Sequence, residues 1–212
     1  MARPKRKIVV LDTETGGLDP NTHSILSLGA VVWHDGGIDD TFYTLIAEPE
    51  IHADPAALKV NGLNLDTVRS EGADPLSAVL ALNNFLLKND LRGLVTVGGH
   101  NVSFDVGFVR RLFNLAGRKY PFSHRSLCTQ TAALLLEQAG RIDPPGTSLD
   151  VLCKLFGIQV RAGGELGKHN ALEDAKATAL LLTKLLNMIR HRDTEAAPPS
   201  PPADPNQTEL GL

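Results

Sequence analysis

Ile8-Val9-Val10-Leu11 is a short uninterrupted apolar run, the pattern of a strand buried on both faces, and it predicts a strand over 7–13. Two further runs rich in β-branched and aromatic residues predict strands over 25–33 and 41–47, with a hairpin-type turn at Asp35-Gly36-Gly37 between them. Beyond residue 70 the period changes. Apolar positions over 76–87 fall at helical spacing, and 94–97 is a short apolar strand that stops at Gly98-Gly99. Phe104, Phe108, Leu112 and Leu115 then recur every three or four residues until Gly117. Residues 147–153 read as a short capped core helix. The last long helix opens near Asn170 and keeps Leu172, Ala175, Ala179, Leu182, Leu186 and Ile189 on one stripe. Leading strands followed by alternating helices and strands predict an α/β fold, a mixed sheet with helices packed on it.

Composition confirms the globular class and marks the ends. With 42% hydrophobic and 21% charged residues in 212, the chain is neither disordered throughout nor a fibrous repeat. A formal charge of -3 excludes a broad cationic surface gripping nucleic acid by counterion release alone. Residues 1–7 form a basic arm, with Arg3, Lys5, Arg6 and Lys7, read as a solvated terminus. Residues 8–191 are even in composition and form the body. Prolines crowd 192–206, which predicts an extended flexible linker, and 207–212 bring two leucines back to the end of a polar tail. Cys128 and Cys153 are too few for a disulfide framework and read as reduced core residues of a cytoplasmic protein. The first apolar run stops at Asp12, too short for a signal-peptide core, and residues 179–189 are broken by Thr183, Lys184 and Asn187, so no membrane span is expected.

Three groups of acids sit where a core should not hold them. In Asp12-Thr13-Glu14 both carboxylates leave one strand end on the same side, and Thr15-Gly16-Gly17-Leu18 follows. Taken singly, a solvated strand end explains the acids, and the glycines serve a turn as well as a ligand's approach. In Gly98-Gly99-His100-Asn101-Val102-Ser103-Phe104-Asp105 a strand turns into a helix, with Asn101 or Ser103 as cap and Asp105 near its first turn, where an acid also complements the helix dipole. In His169-Asn170-Ala171-Leu172-Glu173-Asp174, Asn170 and Glu173 resemble a capping box, which leaves His169 and Asp174 without an evident structural task. Converging, the three segments would put four carboxylates and one imidazole in a single cleft. Such a cleft demands cations, and hard oxygen ligands suit Mg²⁺ or Mn²⁺, two ions roughly 3.5–4 Å apart, an arrangement that serves phosphoryl chemistry.

LDTETGGLD (11–19), HNVSFDVGFV (100–109) and HNALEDA (169–175) resemble, in order and spacing, the three motifs of the DEDDh, or DnaQ-like, 3′–5′ exonucleases. That family includes the proofreading subunit of the bacterial replicative DNA polymerase, ribonuclease T and oligoribonuclease. The resemblance covers roughly 7–190 and implies a ribonuclease H-like fold that releases nucleoside 5′-monophosphates from 3′ ends of DNA or RNA. It implies Asp12, Glu14, Asp105 and Asp174 as metal ligands and His169 as general base. It further implies substrate contacts at Thr15, Gly16, Gly17, Leu18, Asn101, Phe104 and Asn61; Phe104 also lies on a helical stripe that suits core packing. Asn61 departs from the pattern, because members resembling the proofreading subunit often carry His there. Gln207, Leu210 and Leu212 resemble the short peptides that bind the bacterial sliding clamp, so the implied partners are single-stranded DNA or RNA 3′ ends, that clamp and a DNA polymerase subunit. The same residues also suit an RNA-trimming exoribonuclease or a non-catalytic nucleic-acid-binding or clamp-tethered module.

Overall fold

The structure is a computed structural model that describes residues 6–35, 37–159 and 170–190. β1 (Ile8–Thr15), β2 (Ile25–His34) and β3 (Gly37–Leu45) form an antiparallel meander, and β4 (Val95–Gly99) and β5 (Phe122–Cys128) extend the sheet on the other side of β1, in the order β3-β2-β1-β4-β5. β4 runs parallel to β1, and β5 parallel to β4. The mixed sheet expected from the sequence is therefore present, and β1 lies at its centre. That position explains the uninterrupted apolar run, since central strands are covered on both faces. β1 continues two residues past the expected 7–13 end, because Glu14 pairs with Ser27 and Thr15 with Ile25 across a bulge.

Alternation along β1 sends Val9 and Leu11 to one face and Ile8 and Val10 to the other. On the first face lie α3 (Pro75–Lys88) and α4 (Val102–Leu115), which contribute Leu82, Phe108, Leu112 and Phe113 to the main core. Asp74 caps α3 by accepting from the N–H groups of Leu76 and Ser77, and Pro75 starts the helix with its φ already set. The stripe expected on α4 is shifted by part of a turn: Leu115 is exposed, and Val109 and Phe113 take the buried flank beside Phe108 and Leu112. On the opposite face α7 (Ala171–Arg190) packs Ala175, Ala179 and Leu182 on Ile8, Val10, Val31 and Trp33. Its alanines allow helix and sheet to approach closely.

Four elements have no counterpart in the expected pattern. α1 (Pro55–Asn61) and α2 (Leu65–Glu71) are seven residues each, too short to establish a 3.6-residue period. β5 is an edge strand whose Ser-His-Arg-Ser stretch is half-buried to exposed, so no apolar run marks it. α5 (Thr129–Gln138) follows it directly. With α6 (Leu149–Leu155), which is capped by Ser148 and begins two residues later than the expected 147, α5 packs on the far end of α7 through Ala133, Leu136, Leu152, Leu181 and Leu185. Cys128 and Cys153 are both free thiols. Among the described residues no helix is long and apolar enough to cross a membrane.

Candidate active site

The C-terminal end of β1 is enclosed from both faces. Asp12 and Glu14 share the face of Ile8 and Val10, which is the face α7 covers, and Asp174 descends from the first turn of that helix. One carboxylate oxygen from each of these three residues lies within 4.8 Å of the others. Asp105 comes from the opposite side, from the first turn of α4, and its Oδ1 accepts from the N–H of Thr13 at 2.9 Å and from Thr13 Oγ1 at 2.8 Å. Those bonds fix α4 to the strand that carries Asp12 and Glu14. Carboxylates from three distant segments thus converge at one strand end.

The close seating of α7 depends on a residue that sequence reasoning missed. Gly29 is the cross-strand partner of Asp12, and a Cβ placed there would stand 2.2 Å from the carbonyl oxygen of Ala171. The first turn of α7 rests on bare backbone at this point, and Asp174 reaches Asp12 for that reason. Asn170 Oδ1 accepts from the N–H groups of Leu172 and Glu173, so the expected cap is present. The reciprocal half of the capping box is replaced: the Glu173 carboxylate takes Lys176 Nζ at 2.7 Å. His169, the residue before that cap, lies outside the described residues.

Assembling these acids is electrostatically costly. Burial, followed by the charges of Asp105, Asp174 and Glu14, raises the pKa of Asp12 well above the ordinary carboxylate range. Asp105 is pushed up to about 7 by burial, against the opposing influence of its two bonds from Thr13. A cluster of carboxylates that resists ionisation in isolation becomes stable when a cation neutralises it, and an all-oxygen donor set is the one a hard divalent ion takes. The residues present therefore fit a divalent metal centre.

A family model described as exonuclease (RNase_T) matches residues 9–182. The chain belongs to this exonuclease family. The 3′–5′ DNA exonuclease Cap18 of Escherichia coli is 33% identical over 186 residues, covering 85% of this chain and 92% of that protein. The PolC-type DNA polymerase III of Thermotoga petrophila is 27% identical over 183 residues; the match takes in 86% of this chain but 12% of the polymerase, so the chain spans only a small part of that relative. Among solved structures, E. coli exonuclease I in complex with a dT13 oligonucleotide superposes with a TM-score of 0.72 at 16% identity, over 89% of this chain and 43% of that one. The fold is the ribonuclease H-like fold of these exonucleases.

A cavity of about 400 Å³ opens beside Glu14. Thr15, Gly17, Leu18, Asn61 and Phe104, all expected at the substrate, line it, together with Val60 from α1. Leu18 and Val60 are 84% and 58% exposed, so the rim is apolar and open to solvent. Phe104 packs its ring 5.0 Å from that of Phe108 and also lines the cavity. Gly16 and Asn101 stand outside the lining. Gly16 is drawn back against the backbone of His52 and Ala53, and Asn101 is the exposed N-cap of α4 in left-handed conformation (φ 55°), with no side-chain capping bond. Asn61 is buried and donates from Nδ2 to the carbonyl of Thr15 at 3.1 Å, bracing the loop from below. His100, quoted in the second motif without a role, is held between Thr129 Oγ1 and the carbonyl of Thr147, each at 2.9 Å. Burial lowers its pKa, so the ring is a neutral strut tying β4 to the segment before α6.

Proposed function

We propose that the chain is a metal-dependent 3′–5′ exonuclease that removes nucleoside 5′-monophosphates from single-stranded or frayed DNA ends. The observation that carries this reading is the convergence of Asp12, Glu14 and Asp174 within 4.8 Å, with Asp105 fixed beside them. These four residues would hold Mg²⁺ or Mn²⁺, two ions in the reading favoured here. When bound, such ions supply Lewis acidity: they acidify water and stabilise charge developing on a phosphate. His169, two positions before the start of α7 in sequence, is the general base: a neutral imidazole accepts the proton of the attacking water as its oxygen adds to phosphorus. The bond to the 3′ oxygen of the penultimate nucleotide breaks, and that oxygen is protonated from solvent. Leu18, Val60 and Phe104 hold the terminal base through apolar contact and stacking, which is indifferent to base identity.

DNA is favoured over RNA because Cap18, a 3′–5′ DNA exonuclease by name, matches along nearly all of its length. The organisation that goes with this reading is a basic arm at 1–7, a catalytic body at 8–191, a Pro-rich linker at 192–206 and a clamp-binding peptide at 207–212 in a cytoplasmic enzyme of replication or repair. The deciding experiment compares 3′-labelled and 5′-labelled DNA and RNA oligonucleotides with Mg²⁺, with Mn²⁺ and with chelator. A ladder shortening from the 3′ end of DNA, abolished by chelator, is expected. Binding without cleavage in both metals would replace the enzyme with a binding module, and cleavage of RNA alone would make it an exoribonuclease.

A further inference from the structure

Glu48 lies in the connection after β3, outside every strand and helix, yet its side chain is only 2% exposed. Its carboxylate faces four donors. Arg111 of α4 approaches as a fork, Nη1 on Oε1 and Nη2 on Oε2, the latter at 2.8 Å. Ser24 Oγ donates to Oε2 at 2.8 Å and the N–H of Ile25 to Oε1 at 3.1 Å. Ser24 is in turn the hub of the loop after β1. Its carbonyl accepts the N–H of Gly16 at 2.8 Å, its own N–H donates to the carbonyl of His52 at 2.9 Å, and its Oγ accepts the N–H of His52 at 3.0 Å. The Gly16 carbonyl accepts the N–H of Asp54, the N-cap of α1, at 2.7 Å. A continuous set of bonds therefore runs from α4 through Arg111, Glu48 and Ser24 to Gly16 and α1, and so joins the segment carrying Gly17 and Leu18 to the helix carrying Val60, which line the cavity beside Glu14. Arg111 stands six positions after Asp105 on the same helix, about 9 Å along its axis.

A buried ion pair contributes little stability compared with apolar residues of the same size, because both charges must lose their water. What it supplies is direction, since a bidentate guanidinium–carboxylate pair tolerates little rotation. We propose that Glu48 and Arg111 are positioning residues that hold the nucleotide-binding loop 15–18 in register with the carboxylates and so set how tightly the 3′-terminal nucleotide is held. The proposal rests on the exonuclease reading for its kinetic effect. Its structural half stands by itself.

The test uses the full chain with Glu48→Gln, Arg111→Lys and the double variant Glu48→Met/Arg111→Met. Expected in each folded variant is a KM for a single-stranded oligonucleotide raised about tenfold, as a loosened substrate wall gives. kcat and the Mg²⁺ concentration for half-activation stay near wild type. Amide hydrogen exchange at Gly16 and Ile25 should quicken with no change at Leu82 in α3. A KM within twofold of wild type in any folded variant overturns the proposal, whatever its melting temperature. Should Glu48→Gln strand Arg111 and fail to fold, the double variant removes both charges and Arg111→Lys keeps one, and the same KM criterion applies. A wild-type protein inactive on every oligonucleotide would sink the exonuclease reading instead, and Gly16 exchange unaltered in the variants would still refute the tether separately.

Discussion

Asp105 accepts two bonds from Thr13 that favour its ionised form, and burial outweighs them, so its carboxyl titrates at about 7. An unfolded aspartate releases its proton at about 4, so between about pH 4 and pH 7 the metal-free folded state holds a proton that the unfolded chain has lost. The contribution of Asp105 to the stability of the metal-free protein must therefore fall as pH rises through that window, whereas His100, whose pKa burial lowers, contributes with the opposite sign near the top of it. Asp12, whose pKa is also raised, acts with the same sign as Asp105. Asp105→Asn keeps an oxygen acceptor for both Thr13 donors and removes the charge. In chelator it should melt higher than wild type at pH 8 and alike at pH 4.5, with turnover lost, and Mg²⁺ should raise the wild-type melting temperature more than the variant's. An Asp105→Asn variant whose melting temperature in chelator gains nothing on wild type between pH 4.5 and pH 8 contradicts this account. These acids were legible in the sequence only as a set, through their order and spacing over three motifs, since a strand end or a helix dipole explains each one singly. Thr13, the donor pair for Asp105, was not, since a threonine between two acids looks like any strand residue.

At the scale of elements the site depends on how closely α7 can approach β2. Gly29 sits within the apolar run of β2, where one small residue among Leu28, Ala30 and Val31 gives no signal of its own. Only the fold reveals that Ala171 lies over it. Gly29→Ala forces the first turn of α7 off the sheet and moves Asp174 with it. A displacement of about 1 Å at a reacting centre costs about 10²-fold, and a loss of at least that size in kcat/KM is expected along with a lower melting temperature. Asp74→Ala provides the contrast. It removes the cap of α3, away from the site, costs about 1 kcal/mol and leaves kcat/KM unchanged. Wild-type kcat/KM in Gly29→Ala would mean that α7 does not fix Asp174 as described. The long periodic elements were readable because each repeats its signal over several turns or a whole buried strand. α1 and α2 repeat nothing, and β5 owes its place to pairing with β4, an interaction no local pattern announces.

The chain extends beyond the residues the structure describes, and its C-terminal segment carries the remaining prediction. The Pro-rich residues 192–206 and the hexapeptide 207–212 lie outside the described residues, so their assignment as linker and clamp-binding peptide rests on composition and resemblance. A spacer of that length in polyproline conformation reaches about 45 Å. A peptide held on a ring around DNA by such a spacer would keep the catalytic body at an effective concentration in the millimolar range. The body itself carries a net charge that offers nucleic acid no general attraction, so affinity for DNA must come from the cleft or from the tether. Deleting 207–212 should leave kcat/KM on a short oligonucleotide unchanged, because the four carboxylates and the cavity all lie between Asp12 and Asp174. On primed DNA loaded with a bacterial sliding clamp, the intact chain should work at about 10²-fold lower enzyme concentration than the deleted one. Replacing Leu210 and Leu212 by Ala should reproduce the deletion, since apolar burial would supply most of so short a peptide's affinity. Identical concentration dependence with and without the hexapeptide would detach the clamp from this protein while leaving the active site as described.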